Sequence, residues 1–260
     1  MNPYVLGVDV WEGALDVNEE IMLRAGVKFM IIRINDMDGG LHHDKNFTNQ
    51  WAQAKNFIHW PYFVYTPWAD QRVNFNYLCN IMPPEATHVS LDIEVVRQGY
   101  NRQEYARQVS GFVNMCATQW SVDIYTGAWF LPYLSSWPAH VHYWFARYPY
   151  EFYPKGRVHI SWEELHQRIQ KIEWNVGQPP GPCRMWQISG DRLILPGTAE
   201  RPMDINLFNG TLSELEAYAG MKFPGGAEPL PIVPVVPERG SNGGGVSGPA
   251  RPGREPAQSR

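Results

Sequence analysis

Asp92 and Glu94 stand two residues apart in the run Ser90-Leu91-Asp92-Ile93-Glu94, where each interrupts an apolar stretch. In a strand, residues at that spacing leave the same face with Cα atoms roughly 6.5 to 7 Å apart, so both carboxyl groups can serve one substrate. Like charges that close push one pKa upward, and the group that keeps its proton near neutral pH can act as a general acid. Cleavage of a glycosidic bond needs such a pair. The spacing by itself is equally compatible with an exposed strand end or a divalent-cation site. Repetition strengthens the catalytic reading, because Asp9 ends Gly7-Val8-Asp9 and Asp204 sits in Met203-Asp204-Ile205-Asn206-Leu207-Phe208. A carboxylate in such apolar company is costly unless it is paired, hydrogen-bonded or put to use.

Aromatic residues complete the pattern. Tyr65, Trp68, Tyr125, Trp129, Tyr148 and Trp186 fall at or just after expected strand ends, where a sugar ring could stack on them. Any single one also suits core or rim packing, whereas the group points to a carbohydrate groove. Other chemistry finds little support. His42-His43 and His140-x-His142 lack partners at zinc-ligand spacing, and Cys79, Cys116 and Cys183 form no C-x-x-C pair, so neither a metal nor a disulfide framework is expected. No serine elbow, P-loop or dinucleotide fingerprint occurs, which removes acyl transfer and nucleotide binding; no cofactor is expected.

The elements that must position these groups alternate. Strands are expected at 4–8, 29–34, 62–65, 89–93, 122–125, 143–146 and 184–188. Helices are expected at 18–25, 44–57, 70–81, 101–119 and 211–218, two of them opening with capping-box spacing at Asn101-x-x-Glu104 and Thr211-x-x-Glu214. Alternation of this kind implies a parallel sheet or barrel. The expected fold is α/β: a modified TIM-like barrel of about five βα units followed by a mainly β portion. In such barrels chemistry sits at the C-terminal strand ends, where the carboxylates fall.

With 44% hydrophobic residues in 260, the chain can bury a large core unaided. Its formal charge of −4 supplies no field to hold nucleic acid. Composition breaks near residue 220: residues 221–260 hold eight prolines and eight glycines, so a catalytic body at 1–220 is expected, followed by a Pro/Gly-rich disordered tail or linker. The start, MNPYVLGVDVWEG, has no basic segment and no long apolar run, and no 18-residue apolar stretch follows. The expectation is therefore cytoplasmic synthesis without a signal peptide or membrane span.

At this point the sequence resembles the lysozymes of glycoside hydrolase family 25, the Chalaropsis-type muramidases found among phage endolysins. Gly7-Val8-Asp9-Val10 resembles the family's opening strand, and Phe29 to Arg33 followed by Asp44-x-x-Phe47 its second unit. Leu91-Asp92-Ile93-Glu94 is similar to its catalytic strand, Ile124-Tyr125-Thr126 to its fifth, and Trp144-Phe145-Ala146-Arg147-Tyr148 to its W-x-A-x-Y segment. Trp186-Gln187 and Asp204-x-Asn206-x-Phe208-Asn209-Gly210 resemble its closing signature, and the series runs in order over residues 4–216.

The resemblance implies Glu94 as general acid and Asp92 as its partner, with Asp9 and Asp204 lining the same pocket. It implies cleavage of the β-1,4 bond between N-acetylmuramic acid and N-acetylglucosamine in peptidoglycan, without a cofactor. Asp92 would either attack the anomeric carbon or orient the substrate's N-acetyl group to do so, with net retention favoured. The enzyme would reach the wall after release or as part of a virion, and the tail is a candidate anchor to wall or particle. The chain departs from the family at Trp11-Glu12, where a small residue is common, at Asn35-Asp36-Met37-Asp38-Gly39-Gly40 in place of Thr-Glu-Gly, and at Phe63-Val64-Tyr65 in place of Tyr-His-Phe. The alternative is a non-catalytic glycan-binding or structural module of a phage particle that keeps the barrel; retention of both Asp92 and Glu94 speaks for the enzyme.

Overall fold

The computed structural model describes residues 4–13, 17–36, 41–149, 156–190 and 192–224. The Gly39-Gly40 turn and all but the first four residues of the expected tail lie outside them. Strands β1 (Tyr4–Val10), β2 (Phe29–Arg33), β3 (Ile58–Val64), β4 (His88–Asp92), β5 (Ser121–Gly127), β6 (His142–Ala146), β7 (Cys183–Ser189) and β8 (Asp204–Asn209) close a barrel in which sequence neighbours are spatial neighbours. The first seven pair in parallel. Strand β8 runs antiparallel to both β7 and β1. This inversion brings the start of β8, rather than its end, to the rim formed by the C-terminal ends of the others, and it sets Asp204 opposite Asp9.

Helices α1 (Glu19–Arg24), α2 (Phe47–Gln53), α3 (Gln71–Ile81) and α4 (Arg102–Cys116) follow the first four strands, while β5 leads only into a 3₁₀ turn at Leu131–Tyr133. The modified α/β barrel expected from periodicity is the observed fold. Side chains of Asn18, Asp70, Asn101 and Thr211 cap their helices, Thr211 with Glu214 in a full capping box, satisfying amide groups that would otherwise lack partners. Strand β8 and helix α5 (Trp162–Ile169) are additional to the expected elements. Among the described residues no helix is long and apolar enough to cross a membrane.

Both faces of the strands are buried, so segments such as Phe29-Met30-Ile31-Ile32 are apolar without interruption. Alternate residues divide between two cores. Val5, Phe29, Ile31, Trp60, Trp144 and Phe208 fill the barrel, while Val8, Met30, Ile32, Leu91 and Phe112 lie between strands and helices. At the closed end, α6 (Leu212–Ala219) inserts Leu215 and Ala219 into the inner core, and the Tyr218 hydroxyl donates to Asp123, which also meets His88 Nε2 at 3.1 Å. Packing continues past residue 220: Met221 and Phe223 lie on this core, and the Lys28 ammonium sits 4.8 Å from the Phe223 ring centroid.

Gly7 faces the interior where the Phe29 ring stacks on Trp60 at 5.5 Å. A Cβ at that position would fall 2.3 Å from Phe29 Cζ. Gly7→Ala is therefore expected to cost about 1 to 3 kcal/mol, the usual penalty of overfilling a packed core, measured as a lower urea midpoint at unchanged slope. An unchanged midpoint would mean that the Phe29–Trp60 stack yields freely.

Candidate active site

Strand β4 delivers Asp92 at its last residue, and the Ile93 amide donates to the Tyr125 carbonyl at 3.0 Å. This continues the ladder and brings Glu94 to the rim on the face of Asp92. Asp92 is 4% exposed, and its Oδ1 has no hydrogen-bond partner among the described residues. Glu94 is only partly buried and lines an open cavity of about 430 Å³ together with Tyr125, Ala128, Trp129, Arg147 and Tyr148.

Asp9, from β1, is held by two side-chain amides. Gln187 Nε2 and Asn206 Nδ2 donate to its Oδ1 at 2.9 and 2.7 Å. Each amide is fixed in turn: Trp144 Nε1 donates to Asn206 Oδ1 at 2.8 Å, and the hydroxyls of Tyr125 and Tyr148 donate to Gln187 Oε1 at 2.9 and 2.7 Å. Because a carboxylate only accepts, Asp9 dictates which way both amides point. Asp204 borders the same group. A Cβ on Gly190 would lie 2.8 Å from Asp204 Oδ1 and 2.5 Å from the Tyr148 hydroxyl, so the missing side chain there lets both approach the end of β7. The charges of Asp204, Asp9 and Glu94 all bear on Tyr148, and those of Asp9, Asp92 and Asp204 on Tyr62. The four predicted carboxylates thus share one mouth.

Burial and mutual repulsion raise Asp9, Asp92 and Glu94. Desolvation, then the charge of Asp9, lifts Glu94 to about 7. Desolvation lifts Asp9 to about 6 against the opposing hydrogen bonds from Asn206 and Gln187. Asp92 is driven well above the usual carboxylate range by burial, Glu94 and Asp9, and drawn back by the Arg33 guanidinium. These carboxyl groups therefore titrate as a coupled set, each ionisation making the next one harder.

A stability consequence follows. A carboxyl whose pKa is raised by folding binds protons more tightly in the native chain, so stability falls as pH rises from the ordinary carboxylate value of 4.5 through about 7 at Glu94. Glu94→Gln removes that loss. The variant is expected to melt above the wild type at pH 8, with the gap closing toward pH 4. A gap that widened on acidification would reverse the sign of the shift.

Arg33 closes the β2 side. It is 7% exposed, its Nε donates to Asp44 Oδ2 at 2.8 Å, and its Nη2 lies 3.9 Å from both Glu12 and Asp36. Among the described residues no cluster of three or more His, Cys, Asp and Glu side chains is placed to hold a metal ion.

The six predicted aromatic residues separate. Tyr125 points into the barrel, and Trp129, 49% exposed, lies 6.1 Å from Tyr148 along the cavity wall. Trp68 is exposed on the loop between β3 and α3, outside the lining of that cavity. Tyr65 and Trp186 require correction as sugar platforms, because both are buried outside the barrel. Each is one residue out of phase with an inward neighbour, Val64 or Gln187. Tyr65 packs against Tyr105 and Phe112, and Trp186 donates to the Arg147 carbonyl. Gln187, Asn206, Arg33 and Tyr62 are site residues that the carboxylate search passes over. Their signal is a polar side chain at even spacing from an inward apolar one: Arg33 two after Ile31, Asn206 two before Phe208, Gln187 two after Met185.

Carboxylates and tyrosines gathered at the mouth of a closed α/β barrel suit a carbohydrate-cleaving enzyme, a glycoside hydrolase. The sequence model of glycosyl hydrolases family 25 matches residues 8–167, and the chain belongs to that family. Among solved structures it is similar to the bacterial lysozyme from Streptomyces coelicolor, at 20% identity and a TM-score of 0.63 over 83% of this chain and 96% of that one. It is also similar to the family lysozyme from Aspergillus fumigatus, at 17% identity and 0.62 over 83% and 99%. A third likeness is to the catalytic domain of endolysin ply40 from the Listeria monocytogenes bacteriophage P40, at 17% and 0.58 over 84% and 98%. At these identities the likeness is one of fold. No curated protein sequence matches the chain.

Proposed function

We propose that the chain is a peptidoglycan hydrolase that cuts the β-1,4 bond between N-acetylmuramic acid and N-acetylglucosamine with net retention. The observation that carries this reading is the contrast between Glu94, raised to about 7 and lining the open cavity, and Asp92, buried directly beside it. Glu94 alone of the pair reaches a glycosidic oxygen, and at neutral pH a substantial share of it carries the proton the leaving sugar needs. Asp92 acts beneath the anomeric carbon, as nucleophile or by orienting the acetamido group, while Asp9 and Asp204 complete the anionic floor. Tyr125, Trp129 and Tyr148 hold the sugar on the cavity side; the lysozymes and the endolysin with the same fold support the choice of wall glycan. The enzyme acts on the wall after release or from a virion, with residues 221–260 as the candidate anchor.

The test is clearing of a bacterial wall suspension together with assay of new reducing ends. Clearing with N-acetylmuramic acid at the new ends is expected. Binding to walls without new ends would instead identify a glycan-binding module. The proton spectrum of freshly released ends is expected to show the β-anomer first, and an initial α-excess would replace retention by inversion.

A further inference from the structure

Trp11 lies on the rim just after β1 and is 41% exposed. An exposed tryptophan needs no explanation by itself; an immobilised one does, since ordering a side chain costs entropy. Four features hold this one. The Arg33 guanidinium carbon lies 5.1 Å from its ring centroid. The ring rests on Gly13, where a Cβ would fall 2.2 Å from an indole carbon. The Trp11 carbonyl accepts from Gln50 Nε2 at 2.8 Å, and the next amide, Glu12, donates to Asp44 Oδ2 at 3.1 Å.

The cavity side carries the same device in reverse order. Trp129 rests on Gly127, where a Cβ would fall 2.3 Å from the indole. In the barrel, β1 to β3 lie on one side of β4 and β5 and β6 on the other. In the closed ring of eight strands β1 and β5 stand four apart, so the two glycine-seated tryptophans lie on opposite sides of the barrel mouth.

We infer that Trp11 is a second saccharide platform, stacking the apolar face of an N-acetylhexosamine ring in the strand being cut, on the side of the carboxylates away from Trp129. The inference rests on the glycan-cleaving reading of the site and adds a subsite to it. A pyranose ring offers axial C–H groups that lie flat on an indole, and an indole already fixed gives up little further freedom on binding.

The experiment uses peptide-free glycan strands of graded length and the full chain. Trp11→Ala is expected to raise KM about tenfold on long strands, an effect of the size of one lost stacking contact. Its kcat, and its kinetics on the shortest strand the wild type cuts, stay unchanged. Trp11→Phe recovers part of the loss. Gly13→Ala tests the seat independently: Gly13 lies outside the left-handed region, so the added methyl acts by displacing the indole, and the same length-dependent rise in KM is expected at an unchanged melting temperature. Equal kinetics of Trp11→Ala and wild type on long strands would overturn the proposal. So would a loss confined to intact walls, which would assign Trp11 to a neighbouring chain, or an equal loss on the shortest strand, which would assign it to the support of Arg33. Failure of the wild type to cut any strand would overturn the parent reading and is distinguishable from all of these.

Discussion

Glu94→Gln is expected to lower hydrolysis of wall glycan by about 10² to 10⁴, the span attributed to general acid catalysis, while the barrel stays intact. The amide has the shape of the acid but no proton to give the leaving oxygen. The loss should appear in kcat, because Glu94 stands at the cavity and its proton moves only in the transition state. The wild-type profile should fall on the alkaline side near pH 7, where Glu94 loses its proton. Asp9 supplies a control with a definite sign. Its charge helps to hold Glu94 up, so Asp9→Asn should move the alkaline limb to lower pH. An alkaline limb unmoved by Asp9→Asn and near-wild-type turnover by Glu94→Gln would together displace Glu94 from the acid role.

How much of this was legible in the chain depends on what each physical signal encodes. Hydrophobic period and capping residues report local structure, and Asn18, Asp70, Asn101 and Thr211 mark helix starts where the helices begin. Strand direction leaves no such trace. Asp204 can be read as a rim carboxylate, yet that β8 arrives at the rim by its first residue follows only from the closure of the barrel. Phase is finer than period: reading Tyr65 and Trp186 as rim aromatics errs by one residue, enough to turn a side chain from the cavity to the helices. Helix α5, capped by Ser161 and burying Trp162, Leu165 and Ile169 at helical spacing, does carry that period, but over only eight residues between Trp- and Pro-rich stretches. The amides of Gln187 and Asn206 carry no charge to attract notice. They matter because two residues distant in sequence converge on one oxygen of Asp9, a relation that exists only after folding.

Asp92→Asn should be nearly as damaging, by about 10² to 10³, the scale for removing one preorganised electrostatic group at a reacting centre. The residue is 4% exposed, with Glu94 and Asp9 raising its pKa and Arg33 opposing them. Burial of this kind is tolerated because the cluster shares its protons. As Glu94 surrenders its proton to the leaving group, positive charge develops on the sugar above Asp92, and the ionised form of Asp92 stabilises that charge more strongly in the transition state than in the ground state. Asparagine preserves the volume and removes this response, so kcat should fall with little change in KM. The repulsion between Asp92 and Glu94 is mutual, so the alkaline limb of Asp92→Asn, like that of Asp9→Asn, should move to lower pH. A substrate with hydroxyl in place of the acetamido group then separates the two routes. If Asp92 attacks the anomeric carbon itself, the wild type still cuts that glycan; if Asp92 orients the acetamido group, the glycan is inert. Retained turnover by Asp92→Asn would move the role to Asp9 or Asp204, the remaining carboxylates of the mouth.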